Sequence, residues 1–527
     1  MGKTVIYQIL PRLWGNEKTH GKIPGGSLRQ NGCGKFSSID TRFLEYLRDD
    51  LHVTHVWFTG VIRHATTETF EGCPASNPQV VKGKAGSPYA IIDYFDVNPY
   101  LADNPSERMV EFESLLKRTH DAGLKVLIDF VPNHVSRDYG KAGRSAGTVK
   151  WLGDNDDPTI HWSPGNDFYY YPGQSLTLPC PVPQGGSPYY ENPAKASGNC
   201  FSPTPGINDW YETIRLNYCD FHTGTWDKML DAVRYWCSKG VDGFRCDMVE
   251  MVPWQFMQWL IARIKSEYPG TVFVAEVYGK DSYRHYIQTV GFDYLYDKSG
   301  LYDCLRSVTE GSGTARGLTW NWQMLGDLQP KMLNFLENHD EQRFASGFFA
   351  GDPSKAAAPL CASLLFNTSA FMIYNGGEIG EMGMEAEGFS GRDGRTTIFD
   401  WWSVDSLRRL REYIDTGRGL TESESRTLDV YRKALQTASL PEVSEGSTFD
   451  LNYCNLSSTG FDPDKHFAFL RCIEGRALLF VCNFSGEACR MRIVIPPEAY
   501  RFMGRNEKET PGRDVSIDAF SYTVLPV

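Results

Sequence analysis

The sequence predicts an α/β fold: a parallel (β/α)8 (TIM) barrel with a loop-rich insertion after strand 3 and an antiparallel β-sandwich domain at its C-terminal end. Three observations predict it. Short β-rich runs alternate with helical patterns about eight times before residue 441, and eight is the number that closes a parallel barrel. The run VLIDFV (126–131) is apolar apart from Asp129, as a strand buried on both faces must be. After the first run stands Leu10-Pro11-Arg12 rather than a glycine-rich phosphate turn, which removes the main signature of an open, doubly wound sheet.

The elements follow in order. Residues 4–10 form the first strand-like run, 37–51 a helix-like segment and 55–59 the second run. Residues 105–122 carry helical spacing, with Ser106 placed as N-cap and Gly123 just past the end. After 126–131, residues 136–209 are rich in Gly, Pro, Asn, Asp and Tyr and lack sustained periodicity. That stretch is too long for an ordinary connection and reads as a small inserted domain that shapes a site. A helix-like segment, 226–239, leads into the run 243–248. Further runs at 272–277, 294–296, 332–336 and 371–374 are mostly separated by helical stretches. A helix over 423–440 ends at Pro441, and runs at 467–471, 477–483, 489–495 and 521–526 then read as successive strands without helices. The expected organisation is a barrel from 1–135 and 210–441, an insertion from 136–209 and a C-terminal domain from 442–527.

Composition narrows the function. An apolar fraction of 41% and a charged fraction of 22% are those of a soluble globular protein, and no run of about 18 apolar residues predicts a membrane span. A net charge of −12 argues against a nucleic-acid partner, which wants a basic surface, and suits a neutral substrate. The aromatic content of 13% exceeds what a core needs, and aromatic faces stack on sugar rings. Of 13 cysteines, Cys237, Cys246, Cys361 and Cys482 sit in apolar runs, which favours reduced thiols and a cytoplasmic location. Cys180 and Cys200 flank a Pro/Gly-rich loop and would pair in an oxidising compartment. The N-terminus has no signal-peptide layout; a leader removed before Met1 would instead place the protein in the periplasm or outside the cell.

The chemistry lies where the barrel strands end, because that face carries the active site of such a fold. In GFRCDMVE (243–250), alternation puts Arg245 and Asp247 on one side of a strand, either as a structural ion pair or as a catalytic one. The third run carries Asp129 followed by Asn133-His134, the fifth ends in Glu276, and the seventh in Asn338, His339 and Asp340. Carboxylates from four strands would point into one cup, where repulsion pushes their pKa values apart. Two carboxyls in opposite protonation states are what glycoside hydrolysis uses.

DFVPNH (129–134), GFRCDMVE (243–250), AEVY (275–278) and ENHD (337–340) resemble, in order, the four short motifs of the α-amylase superfamily, glycoside hydrolase family 13. SPYAIIDYFDVNP (87–99) resembles the family's segment after strand two, and the resemblance spans roughly residues 5–402. It implies Asp247 as nucleophile, Glu276 as general acid/base and Asp340 as the carboxylate that binds sugar hydroxyls and stabilises the transition state. It implies that Arg245 holds Asp247 ionised and oriented, that His134 and His339 bond sugar hydroxyls, that Tyr89 stacks on the ring and that Asp129 supports the network. Asn133 resembles a residue that binds structural calcium in many α-amylases, with Asp209 as a second candidate ligand. The implied activity is retaining cleavage of α-1,4 bonds in an α-glucan oligosaccharide. Transglycosylation through the same intermediate is the near alternative and a non-catalytic carbohydrate-binding relative the remote one. One departure stands out. Val249-Glu250 occupies the place where many α-amylases carry Lys-His, reaching toward the leaving-group sugar.

Overall fold

A computed structural model describes residues 2–141, 150–183, 186–505 and 512–527. Eight parallel strands close a barrel: β1 Val5–Ile9, β2 His55–Phe58, β3 Lys125–Phe130, β4 Gly243–Cys246, β5 Val272–Ala275, β6 Tyr294–Tyr296, β7 Met332–Phe335 and β8 Ala370–Tyr374. They lie in sequence order around the ring, and β1 closes it by pairing with both β2 and β8. Every residue of β1, β2, β4, β7 and β8 is buried, as strands covered on both faces must be, including the polar Gln8, His55, Arg245 and Asn334. Register brings the site together: Arg245 on β4 lies opposite Asp129 on β3 and Val274 on β5.

Two excursions cover the mouth. After β2 the chain forms an irregular antiparallel pair, Ile62–His64 with Ile91–Val97, and Tyr89 shortly precedes its second strand. After β3, His134–Ser136 pairs antiparallel with Thr213–Arg215, so the long insertion leaves and returns through one two-stranded clasp. Inside it, the fully buried Arg137 donates to Glu191 at 2.7 Å and to the Ser197 hydroxyl at 2.8 Å. Residues 142–149 and 184–185 of the expected insertion lie outside the described residues.

The C-terminal region is a four-stranded antiparallel sheet of Ser447–Asp450, His466–Ile473, Arg476–Asn483 and Tyr522–Pro526, with Cys489–Ile493 and Arg513–Ile517 forming a second, two-stranded sheet. Leu470, Leu479 and Val481 of the first sheet share a core with Met491, Ile493, Val515 and Ile517 of the second.

Several local expectations are corrected. The helix after Asn104 begins at Arg108, not Ser106. Pro105–Glu107 is a 3-10 turn, and the Asn104 side chain accepts from Ser106 N and caps it, because proline at the first turn position prefers that entry. Residues 37–51 are not one helix: Asp40 caps a short helix, Thr41–Glu45, which widens into a π-turn at Tyr46–Asp50. β4 and β5 stop at Cys246 and Ala275, so Asp247 and Glu276 stand just beyond the strands. The C-terminal domain contains a short helix, Pro497–Phe502, that buries Ala499 and Tyr500, and two strands with polar outward faces that carried little apolar signal, Ser447–Asp450 and Arg513–Ile517. All 13 cysteines are free thiols, Cys180 and Cys200 included. Among the described residues no helix is long and apolar enough to cross a membrane.

Arg137→Ala would leave the Glu191 carboxylate buried without its partner. Loss of one member of such a pair costs about 3–5 kcal/mol. Chemical denaturation is expected to show a loss of that order, and a variant as stable as the parent would overturn the organising role assigned to this pair.

Candidate active site

Asp129 and Arg245 lie within barrel strands, Asp247 and Glu276 just past β4 and β5, His339 and Asp340 in the loop after β7, and Tyr89 and His134 in the two excursions. Backbone bonds hold the pair just past β4 and β5: Asp247 N donates to Phe130 O at 2.9 Å, and Glu276 N to Cys246 O at 3.2 Å. A cavity of ≈ 220 Å³ opens there, and its lining includes Tyr89, His134, Asp247, Glu276 and Asp340. Three sequence-predicted residues lie around this lining rather than in it: Arg245, Asp129 and His339.

Arg245 is the hub. Its side chain is 1% exposed; Nη1 donates to Asp247 Oδ1 at 2.6 Å and Nη2 lies 2.9 Å from Glu276 Oε2. Three aromatic rings, Trp57, Tyr89 and Tyr296, surround the guanidinium at 5.4–5.5 Å. Such rings stabilise a cation that has lost its water. Burial pushes the Asp247 carboxyl well above its ordinary range; Arg245 opposes this, and Glu276 and Asp340 add to it. Asp340 is pushed up to about 7, by burial first and by Glu276 next, against the pull of Arg245. Its side chain is 37% exposed to the cavity, so solvent screens part of that effect. Burial lifts Asp129 to about 6, again against Arg245, and its Oδ2 accepts from Gly60 N at 3.0 Å. One guanidinium thus offsets, without cancelling, the cost of gathering four carboxyls.

The histidines are neutral, and burial is the cause. His134 is lowered to about 3, and His339 well below its ordinary value. The Gln8 carboxamide donates to His339 Nδ1 at 2.7 Å, so Nε2 carries the proton and faces the Tyr89 hydroxyl at 2.5 Å and Asp340 Oδ2 at 3.1 Å. Asn338 Oδ1 accepts from Asp340 N and Glu341 N at 2.9 and 3.0 Å, and Arg395 Nε donates to Asp340 O at 2.8 Å. Asp340 is therefore held from both sides of its backbone.

Sequence reasoning missed Gln8, Tyr278, Lys82 and Glu212. Gln8 had a readable signal, a carboxamide inside the otherwise apolar strand β1. Lys82 and Glu212 lie in the two excursions and meet as an ion pair of 3.2 Å on the cavity wall, a contact no local pattern announces.

The candidate calcium ligands are not brought together as a set. Asn133 Nδ2 donates to Gly198 O at 2.9 Å, and the Arg215 guanidinium donates to the same carbonyl at 2.9 Å, putting a fixed positive charge beside the place a cation would need. Asp209 Oδ2 accepts from Gly206 N at 2.7 Å, within its own turn. Among the described residues no group of three or more His, Cys, Asp or Glu side chains is arranged for a metal. Asn133 Oδ1 is buried without a hydrogen-bond partner, as the oxygen of a calcium ligand would be, and calcium takes six to eight such oxygens.

The family profile described as "Alpha amylase, catalytic domain" matches residues 8–294. The chain is 24% identical over 405 residues to a cyclomaltodextrin glucanotransferase of Geobacillus stearothermophilus, covering 71% of this chain and 49% of that one. It is 22% identical to neopullulanase 2 of Thermoactinomyces vulgaris, covering 72% and 57%. The chain thus spans about half the length of the curated relatives it matches. Among solved structures, the cyclic α-maltosyl-(1→6)-maltose hydrolase of Arthrobacter globiformis in complex with maltose superposes with a TM-score of 0.64 at 18% identity, over 99% of both chains. That likeness speaks for the fold.

The raised Asp247 pKa carries a stability consequence. The folded protein holds a proton that an unfolded aspartate releases near pH 3.9, so stability falls as pH rises above that value. Asp247→Asn removes the charge. Thermal melts are expected to show a higher melting temperature for the variant at pH 8 and little difference near pH 4. A stabilisation of equal size at both pH values would rule out the buried charge of Asp247 as its source.

Proposed function

The chain belongs to the α-amylase family, and from that premise we propose that it is a retaining glycoside hydrolase acting on α-glucans. In this reading it cleaves α-1,4-glucosidic bonds of maltodextrin or starch-derived oligosaccharides through a covalent glycosyl-aspartate. The observation that carries the reading is the single buried guanidinium shared by Asp247 and Glu276. One fork spanning both carboxylates favours the short separation, about 5–5.5 Å, that retaining enzymes use.

The roles follow from the geometry. Asp247 attacks the anomeric carbon while Glu276 gives its proton to the departing oxygen. Arg245 balances the charge that moves between the two. Water then enters, Glu276 takes its proton, and the glycosyl–Asp247 bond breaks, so the product keeps the α configuration. Asp340, aimed by His339 Nε2–H, binds ring hydroxyls, and Tyr89 offers its face to the ring. A neutral imidazole at His134 or His339 can bond a sugar hydroxyl without adding charge to the cup.

A glucanotransferase uses the same intermediate with a sugar hydroxyl in place of water. Similarity to a cyclomaltodextrin glucanotransferase keeps that second reading in view. Asp247→Asn is expected to lower turnover of maltotriose by at least about 10³-fold while maltotriose binding, read by calorimetry, survives. Turnover near that of the parent would sink the assignment. A maltotriose time course separates the two readings: glucose and maltose alone support hydrolysis, and early oligomers longer than maltotriose support transfer.

A further inference from the structure

The turn after β4 holds the candidate acid/base in a way the four motifs do not announce. Met248 has a left-handed backbone, φ 45°, and opens the 3-10 turn Val249–Met251. That bend sends Met248 N to Glu276 Oε2 at 2.9 Å. Two residues on, the Glu250 carboxylate reaches across to the segment that follows β5. It accepts from Tyr278 N at 2.8 Å and from Gly279 N at 3.2 Å, so both oxygens serve one short stretch of backbone. Any side chain at Gly279 would run into this clamp, since a Cβ there would stand 2.7 Å from Glu250 Oε1.

The clamped stretch carries Tyr278, which lines the cavity and donates its hydroxyl to Glu276 Oε1 at 2.6 Å. Glu276 is therefore held at both oxygens by hydrogen bonds from Tyr278 on Oε1 and Met248 N on Oε2, with the Arg245 charge 2.9 Å from Oε2. Burial raises the Tyr278 phenol far above its ordinary range, so it stays a donor throughout the working pH range. A carboxylate held this way has one orientation.

We propose that Tyr278 is a positioning residue for the acid/base Glu276, and that Glu250 positions Tyr278 through the backbone. The inference rests on the roles of Asp247 and Glu276 proposed above. It assigns to the unusual Val249-Glu250 tail a task inside the chain rather than on the leaving-group sugar.

The test compares two substrates of the full chain by kcat/KM, which reports only steps through formation of the glycosyl-enzyme. Maltotriose needs its leaving oxygen protonated. α-Maltosyl fluoride, with a far better leaving group, depends much less on the acid. Tyr278→Phe keeps the ring and removes only the hydroxyl. It is expected to lose at least about tenfold more kcat/KM on maltotriose than on the fluoride, a fraction of the 10²–10⁴-fold that general acid catalysis typically supplies. Glu250→Ala is expected to show the same substrate-selective loss, and Glu250→Gln, which keeps an acceptor for the two N–H groups, to recover part of it. Equal losses on both substrates, or no loss on either, would overturn the inference. Either result would leave the Asp247 and Glu276 roles standing, whereas a parent protein that fails to turn over the fluoride would remove the reading on which both rest.

Discussion

The buried guanidinium of Arg245 is the constraint on which the rest of the site depends. Four acidic side chains gather at one end of the barrel, and each loses most of its water there. Without a fixed cation the cheapest state would be fully protonated, and no nucleophile would exist. Arginine suits the task because its fork reaches two carboxylates at once and keeps its charge when buried. Trp57, Tyr89 and Tyr296 supply the surroundings that let the cation remain dry.

That hub in turn depends on barrel closure. Arg245 sits in a strand paired on both sides, opposite Asp129 and Val274. A slip of one residue in either pairing would turn it away from the cup. The barrel therefore does for the site what a flexible loop could not: it sets the cation's position before any carboxylate arrives. The Asp247 and Glu276 carboxylates then come from just beyond the strands, where the backbone is free to turn, as the left-handed Met248 does.

The same economy recurs in the surrounding loops, where charges are neutralised inside the chain. Arg137 and Glu191 organise the excursion after β3, Lys82 pairs with Glu212 on the cavity wall, and Arg215 covers the Gly198 carbonyl. In each case residues far apart in sequence neutralise charge or satisfy a carbonyl that burial would otherwise leave exposed to a low dielectric. Asp129, Asp247 and Asp340, with raised pKa values, are the exception. They store destabilisation around Glu276, the group that moves the proton in the proposed chemistry.

Strand periodicity and the polar residues ending each run determined the barrel and its order, because a strand buried on both faces can be built only from apolar residues and its ends are where polar ones are tolerated. On that basis Asp247, Glu276, Asp340, His134, His339, Asp129 and Arg245 were legible as polar residues at run ends, Tyr89 and the individual roles came from the family resemblance alone, and the structure brings all eight to the mouth of the barrel. Boundaries were less legible. The cap of the helix after Asn104, the break at Tyr46 and the strands Ser447–Asp450 and Arg513–Ile517 depend on local bonds or polar faces that periodicity does not register. What only the tertiary structure decided is who touches whom across long separations. Glu250 read as a departure with no stated task until it met Tyr278 and Gly279, 28 and 29 residues on. Asp209 accepts within its own turn, whereas Asn133 Oδ1 stays buried without a partner, and neither fact was visible in the sequence. Such contacts are set by the path of the chain through space, and a linear pattern of residue types records the side chains available but not their partners.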